Sequence, residues 1–276
     1  MQRLYALARA NGKVLKLNLD GVEALFSAQT PDELRCVEGA ALLNEREMLS
    51  AIQKTLKAGD VFLDVGSSLG IFTVFGAKAV GPQGTVVACE PGTSSYSRLQ
   101  MNIDLNRLNN VTRLKLALSD RRSVRKLLLG ESSSLSHLTD LPNVDGSSEN
   151  VQTADYDSLV EEEGLPIPRV VKMDIEGHEY AALKGMERTL SSPLCVALFC
   201  EIHPYALPVG VSVGEVTALI ESFGFDCVST RARVGEYHVT AMKHTATSVI
   251  GQAGELTGAA VRACVCRKDP ARGQDN

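Results

Sequence analysis

The chain has 276 residues, of which 44% are hydrophobic and 22% are charged, and this composition excludes a wholly disordered or fibrous protein. Its length suits one large domain or two small ones. The formal net charge of −5 provides no basic surface for a phosphate backbone, so we expect no nucleic-acid partner.

We expect no targeting segment in this sequence. A membrane span needs roughly 18 consecutive apolar residues, and no stretch approaches that length, so no span is predicted. The N-terminus lacks the apolar core of a signal peptide. The seven cysteines are scattered, and several lie in apolar runs where a reduced thiol behaves as a small hydrophobe. Cys264 and Cys266 fit alternate positions of one strand better than a zinc site. We therefore predict a cytoplasmic location.

Residues 1–43 form a predicted N-terminal extension that packs on the main domain. Leu15–Leu19 alternates as a strand does, Gly21–Ser27 is a candidate return strand, and a helix is predicted to start at Thr30. The main domain is predicted to span residues 44–267, and residues 268–276 to be a frayed tail. It opens with a helix over residues 44–57, whose apolar residues are spaced by four.

Strands and helices then alternate along the main domain. Buried strands are predicted at Val61–Val65, Thr85–Cys89, Val111–Ala117, Arg169–Met173, Leu194–Cys200, Phe225–Thr230 and Val261–Cys266. Helices are predicted over residues 71–80, from Thr93, and at Tyr156–Glu163, His178–Leu190 and Glu215–Phe223. This alternation predicts an α/β fold with a doubly wound, mostly parallel, seven-stranded sheet.

Two segments have no clear periodic pattern. Residues 130–150 are rich in serine and glycine and are interpreted either as a lid or as a plain surface linker. Residues 231–258 are mixed in character.

Acidic residues follow the predicted strands. Ligands of open α/β sheets bind beyond the carboxyl ends of the strands, near the point where the strand order reverses. The carboxylates predicted at these ends are Asp64, Glu90, Asp120, Asp174, Glu176 and Glu201. Helix capping is an alternative for Asp64 and Asp120, but it explains Glu90 poorly because Pro91 follows directly. Carboxylates grouped at one edge indicate a polar ligand or a metal.

Gly66 and Gly70 follow the first buried strand, where the absence of a side chain lets backbone N–H groups approach a ligand. The spacing is D-x-G-x-x-x-G, and Ser68 stands where a dinucleotide-binding loop has its second glycine. Glu90 lies at an offset typical of an acid that binds a ribose diol. These features favour a nucleoside without a diphosphate.

The stretch from Asp60 to Gly70 resembles motif I of the class I S-adenosylmethionine-dependent methyltransferases, which have a Rossmann-like fold. More narrowly, the chain resembles the FkbM methyltransferase family. The match is carried by motif I, Glu90-Pro91, the sequence ALSD at 117–120, the sequence VKMDIEGHE at 171–179 and, more loosely, EIHP at 201–204. It covers roughly residues 44–266. Ser67-Ser68 stands where many relatives have Ala-Asn.

The resemblance implies a role for each matching residue. Asp64, Gly66, Ser67 and Gly70 would line the pocket for the methionine and ribose of S-adenosylmethionine, and Glu90 would accept hydrogen bonds from the ribose hydroxyls. Ser119 and Asp120 would lie beside the adenine. The segment 174–179 would lie where methyl donor and acceptor meet. The implied reaction is O-methylation of a sugar, glycolipid or secondary metabolite, a small-molecule or glycan acceptor. The sequence leaves open whether the chain forms a homo-oligomer.

In-line methyl transfer needs alignment and no enzyme nucleophile. An alcohol acceptor must still lose a proton, and the candidate bases are Asp174, Glu176, His178 and His203. His178 is equally consistent with a capping or surface role. Alternatively, Asp174 and Glu201 bind Mg²⁺, which lowers the pKa of the acceptor hydroxyl.

Two other classes of protein remain open at this point. A nicotinamide (NAD-dependent) oxidoreductase shares the sheet and the acid at position 90, but it normally has the middle glycine. A non-catalytic nucleoside-binding module shares the fold without turnover.

Overall fold

The computed structural model describes residues 13–38, 40–130, 136–139, 147–231 and 235–243. The helices in these ranges are α1 (Pro31–Glu38), α2 (Ala40–Thr55), α3 (Ile71–Val80), α4 (Thr93–Leu105), α5 (Tyr156–Glu163), α6 (Glu179–Lys184), α7 (Glu187–Ser191) and α8 (Val213–Ser222). The strands are β1 (Lys13–Leu19), β2 (Val22–Ala28), β3 (Val61–Val65), β4 (Thr85–Cys89), β5 (Val111–Leu114), β6 (Ala117–Leu118), β7 (Ser123–Leu128), β8 (His137–Thr139), β9 (Ser148–Ala154), β10 (Val170–Met173), β11 (Ala197–Ile202), β12 (Asp226–Arg231) and β13 (Tyr237–Met242).

The main sheet has seven strands in the order β12-β13-β11-β10-β3-β4-β5. Only β13 runs against the others, because it pairs antiparallel with both β11 and β12. The predicted α/β class and the mostly parallel, seven-stranded sheet are thereby confirmed. The chain builds outward from β3 to β5 and then crosses to β10 on the other side of β3, so the strand order reverses between β3 and β10.

Successive residues of the central strand face opposite layers of the core. Phe62 packs with α2 and α3 on one face of the sheet, whereas Leu63 packs with α5 and α8 on the other, and both side chains are fully buried. This double burial explains the nearly continuous apolar run from Val61 to Val65.

The N-terminal hairpin, β1 with β2, attaches to the same core through Asn102 of α4 and Asn106, the residue that caps the C-terminus of that helix. The Oδ1 atom of Asn102 accepts from the N–H of Ser27 at 2.8 Å, and that of Asn106 accepts from the N–H of Leu25 at 2.9 Å. Asn102 also donates to the carbonyl oxygen of Leu69, next to Gly70. The hairpin is thus hydrogen-bonded to the helix that borders the glycine turn.

A second sheet of four strands, in the order β6-β9-β7-β8, adjoins the first. It includes His137–Thr139 and the start of Ser148–Ala154, within the segment that we interpreted as a lid or linker. The linker alternative was wrong for these residues, because their backbones pair with β7. Residues 131–135 and 140–146 lie outside the described ranges.

Three further element predictions differ from the structure. The predicted strand Val111–Ala117 is interrupted between β5 and β6, and the predicted helix His178–Leu190 is two short helices separated at Gly185. The predicted strand Leu194–Cys200 extends instead to Ile202, which places Glu201 within β11.

The seventh strand of the sheet is Tyr237–Met242, whereas the predicted strand Val261–Cys266 lies outside the described residues.

Helix ends follow the local sequence where capping residues are present. Asp155 accepts from the N–H of Ser158 at 2.8 Å at the start of α5, and Gly164 ends that helix at a φ of 71°.

Among the described residues, no helix is long and apolar enough to cross a bilayer.

Candidate active site

A cleft lies beyond the carboxyl ends of β3 and β10, where the strand order reverses. Its volume is about 1030 Å³, which includes space open to solvent. Its polar lining includes Gly66, Ser67, Ser68, Glu90, Lys172, Asp174, Glu176, His178 and Glu45. Apolar residues of the second sheet and its approach, among them Leu116, Leu118, Leu127 and Leu138, form one wall. Ligand sites of open α/β sheets occupy this position.

Gly66 is required at the turn after β3 because two segments of backbone meet there. Its φ is +78°, and a Cβ atom at this position would lie 2.0 Å from the carbonyl oxygen of Asp174. The N–H groups of Gly66 and Ser67 both donate to the carbonyl oxygen of Cys89, at 3.0 Å each. The turn is therefore held against the ends of β4 and β10.

Glu90 fixes the same turn from the end of β4. Its Oε2 accepts from the N–H of Ser68, which has a φ of +48°, and its Oε1 accepts from the N–H of Gly92, each at 2.8 Å. Burial raises the pKa of Glu90 to about 7, although these two hydrogen bonds act in the opposite direction. Each carboxylate oxygen retains capacity for a further donor.

Asp64 lies one layer beneath the cleft. Its side chain is fully buried, and it accepts a hydrogen bond from Thr73 at 2.5 Å. Asp64, Gly70, Ser119 and Asp120 are not among the residues that line the cleft. Gly70 begins α3 at a φ of +83°, and a Cβ there would lie 2.6 Å from a methyl carbon of Leu99.

Lys172 is the cation of the cleft floor and was missed in the sequence analysis. Its Nζ donates to the carbonyl oxygen of Gly66 at 3.0 Å and lies 3.7 Å from Asp64 and 3.6 Å from Asp174. Burial lowers the pKa of Lys172, but the charges of Asp174 and Asp64 outweigh it, so the net pKa is raised. The available signal was a lysine inside the otherwise apolar run of β10.

His203 lies within a group of four carboxylates and is only 2% exposed. Its Nδ1 is 3.0 Å from Glu179 Oε1, and its Nε2 is 3.8 Å from Asp174 Oδ1 and 3.7 Å from both Glu176 Oε2 and Glu201 Oε1. Burial opposes the charged ring, but the hydrogen bond with Glu179 and the nearby acids raise the pKa of His203 to about 9. The imidazolium form therefore predominates at neutral pH.

The two predicted metal ligands, Asp174 and Glu201, face the same nitrogen of His203. Glu201 also lies 3.1 Å from the ring of His238, which is opposite to it on β13. Ligand atoms of Asp174, Glu176 and His203 lie within 4.8 Å of one another and so form a set that a cation could join. The imidazolium of His203 already supplies positive charge between these acids.

Glu176 lies at the mouth of the cleft in a left-handed conformation, with a φ of +52°. The hydroxyl of Tyr205 donates to its Oε2 at 2.9 Å. Burial raises the pKa of Glu176 to about 7, against the lowering effect of His203. A carboxylate with this pKa is suited to proton transfer near neutral pH.

His178 belongs to a different wall of the cleft. Its Nε2 lies 3.0 Å from the hydroxyl of Ser119, which immediately follows β6. It precedes α6 without a side-chain capping bond. The structure therefore brings together Asp174, Glu176 and His203, and separately pairs His178 with Ser119.

Residues 64–227 match the family model described as the methyltransferase FkbM domain. The chain is similar to the hexuronic acid methyltransferase AglP of Haloferax volcanii, with 31% identity over 202 residues that cover 73% of this chain and 77% of the relative. It is also similar to the 31-O-demethyl-FK506 methyltransferase FkbM of Streptomyces tacrolimicus, with 25% identity over 224 residues that cover 69% of this chain and 83% of the relative. A solved structure of a SAM-dependent methyltransferase from Agrobacterium tumefaciens aligns at 11% identity with a TM-score of 0.48, covering 84% of this chain and 71% of that one.

Proposed function

The chain belongs to the FkbM methyltransferase family, and from this membership we propose that it transfers the methyl group of S-adenosylmethionine to a hydroxyl of a sugar, glycolipid or secondary metabolite. The observation that carries the proposal is the glycine turn at Gly66, joined to Glu90 at the point of strand reversal. The hexuronic acid methyltransferase AglP is among the relatives, which supports a saccharide acceptor.

The residues present fit the methyl donor. Gly66, Ser67 and Ser68 line the cleft with backbone and small side chains, and Glu90 retains acceptor capacity for the ribose hydroxyls. The apolar wall of Leu118, Leu127 and Leu138 offers a surface for a flat base. When bound, the donor supplies an electrophilic methyl group on a sulfonium. Asp64 and Gly70, which lie behind the cleft, would act by fixing the turn and not by direct contact.

Alignment of the acceptor with the methyl donor would provide most of the rate enhancement, because it lowers the activation barrier by roughly 7–11 kcal/mol. A general base typically adds 10²–10⁴-fold, roughly 3–5 kcal/mol. Of the four candidate bases, Glu176 fits best because it lies at the mouth of the cleft and its pKa is about 7. His203 is poorly suited to accept a proton because its ring is already charged. We assign it the role of a positioning residue that holds Asp174 and Glu176 in place.

The alternative of a Mg²⁺ ion at the cluster is poorly matched by the ligands present. Asp174, Glu176 and His203 supply two carboxylates and one imidazole, and Mg²⁺ prefers oxygen ligands. Binding at Nε2 of His203 would also require the loss of its proton, whereas the surrounding acids raise the pKa of the ring to about 9. The hydrogen bond that Nδ1 donates to Glu179 would be retained. A loss of turnover on chelation that Mg²⁺ reverses would favour this alternative, whereas unchanged turnover would contradict it.

The first experiment is calorimetric titration with S-adenosylhomocysteine and, separately, with NAD. Binding of the first and not the second supports the proposed donor, and the reverse preference would support an oxidoreductase. Glu90→Gln should weaken S-adenosylhomocysteine binding by roughly tenfold, since a hydrogen bond to a charged group contributes about 1.5–3 kcal/mol. The exposed Glu221→Gln serves as the control. Turnover with hydroxylated acceptors then separates an enzyme from a non-catalytic module.

A further inference from the structure

The loop after β11 places an exposed aromatic ring beside the mouth of the cleft. Tyr205 is 65% exposed, yet its hydroxyl donates to Glu176, which lines the cleft. Its ring meets that of His203 edge-on, with 5.9 Å between the ring centroids. A large aromatic side chain is thus held at the entrance with most of its surface available.

The loop is fixed against the cleft wall. The N–H of Ala206 donates to the carbonyl oxygen of His203 at 3.0 Å, which closes a turn around Tyr205. A Cβ on Gly177, whose φ is +96°, would lie 2.4 Å from both the methyl group and the carbonyl oxygen of Ala206. The turn that carries Tyr205 therefore rests directly on the segment that carries Glu176, and the aromatic ring is preorganised.

The ionisable groups around this entrance are mostly acids, and they are negatively charged above the pKa of about 7 that Glu176 and Glu90 share. Asp174 and Glu176 line it, and Glu45 and Glu90 lie further along the same cleft. Within the described part of the lining, Lys172 is the single Lys or Arg, and its ammonium is buried against Gly66, Asp64 and Asp174. His203 offsets part of the negative charge but is itself buried. An acidic ligand would meet unfavourable electrostatics here.

We propose that Tyr205 and Glu176 form the acceptor subsite, and that it takes an uncharged pyranose ring. The C–H face of the sugar would pack on the exposed ring of Tyr205, while a hydroxyl would hydrogen-bond to Glu176 at the mouth. An aromatic surface combined with a hydrogen-bonding carboxylate matches the mixed apolar and hydroxylated character of a pyranose. This inference rests on the proposed function, because it assigns the acceptor of the same site.

The test uses the full chain saturated with S-adenosylhomocysteine and a panel of methyl glycosides. The uncharged probes are methyl glucoside, methyl galactoside, methyl mannoside and methyl rhamnoside, and methyl glucuronide is the acidic counterpart. Saturation-transfer difference NMR reports which sugar protons contact the protein, and titration gives the dissociation constants. We expect at least one uncharged sugar to bind with its C–H face in contact, and the glucuronide to bind roughly tenfold more weakly than glucoside.

Variants of the loop separate stacking from a general structural role. Tyr205→Ala should weaken sugar binding by roughly fivefold, and Tyr205→Phe should restore most of it because the ring is retained. Val209→Ala is the matched control, since Val209 is a fully exposed apolar residue of the same loop. The affinity for S-adenosylhomocysteine should be the same in all three variants.

Equal binding of the glucuronide, unchanged sugar binding in Tyr205→Ala, or failure of every uncharged sugar to bind would each overturn the inference. If S-adenosylhomocysteine binds normally in these cases, the acceptor assignment alone fails. If S-adenosylhomocysteine does not bind the unmodified chain, the proposed function fails first.

Discussion

Replacing Gly66 with alanine tests whether the turn after β3 is built by close packing of backbone against backbone. Two costs are expected. The positive φ of +78° disfavours any residue with a Cβ, and the added carbon would lie 2.0 Å from the carbonyl oxygen of Asp174. Asp174 cannot give way freely, because its N–H donates to the carbonyl oxygen of Val65 at 3.1 Å.

The two costs can be separated with a matched control. Gly164 has a similar φ of +71°, but a Cβ there would have no neighbour within 4 Å. Gly164→Ala should therefore lose only the roughly 1–2 kcal/mol of a left-handed residue. Gly66→Ala should lose this amount and also the roughly 1–3 kcal/mol of an overpacked site, or about 2–5 kcal/mol in total.

Urea unfolding of the two variants measures the difference in free energy, and titration calorimetry measures the affinity for S-adenosylhomocysteine. We expect Gly66→Ala to lose both stability and affinity, whereas Gly164→Ala keeps the affinity of the unmodified chain. Equal stability losses in the two variants, or normal affinity in Gly66→Ala, would contradict a packing requirement at Gly66.

Three further outcomes are expected from the charged groups of the site. Lys172→Met should lower the free energy of unfolding by about 3–5 kcal/mol, because the acids beside a buried lysine lose their partner, and urea denaturation checks this. The folded-state pKa of His203, about 9, exceeds its ordinary value of 6.5, so the charged ring stabilises the fold fully below pH 6.5 and loses this effect as the pH rises through 9. Between pH 6.5 and pH 9, the free energy of unfolding of the unmodified chain should therefore fall by about 3 kcal/mol more than that of His203→Gln. If Glu176 is the base, kcat should decline as the pH falls through about 7, because the carboxylate becomes protonated. Glu176→Gln should lower kcat roughly 10²-fold or more and abolish this decline at low pH. An unchanged pH profile in the variant would assign the base elsewhere.

Several elements could be predicted because their local signals agree with their tertiary surroundings. The strands Val61–Val65 and Thr85–Cys89 and the helix Tyr156–Glu163 have the bounds that the sequence predicts. Both strands are buried on two faces, which enforces an apolar run, and the helix has a capping aspartate before it and a left-handed glycine after it. Such signals depend on neighbouring residues alone.

Other elements depend on contacts between distant segments. Ser148–Ala154 has the sequence SENVQTA, which looks like a polar loop, but it becomes a strand because its backbone pairs with β7 on one side and β6 on the other. The predicted helix His178–Leu190 breaks at Gly185, where a Cβ would lie 1.9 Å from the carbonyl oxygen of Ser119. Glu201 enters a strand because it lies opposite His238 on β13. None of these partners is near in sequence.

The amino-acid sequence by itself determined the α/β class, the family and the edge of the sheet at which acidic residues gather, since these follow from periodicity and from motifs of contiguous residues. Only the tertiary structure decided what each acid does there. Asp64 is buried behind the turn beside Lys172, whereas Glu176 stands at the mouth beside Tyr205 and the charged ring of His203. A side chain's burial and its charged neighbours set its pKa, and both depend on residues that the fold brings together from far apart in the chain.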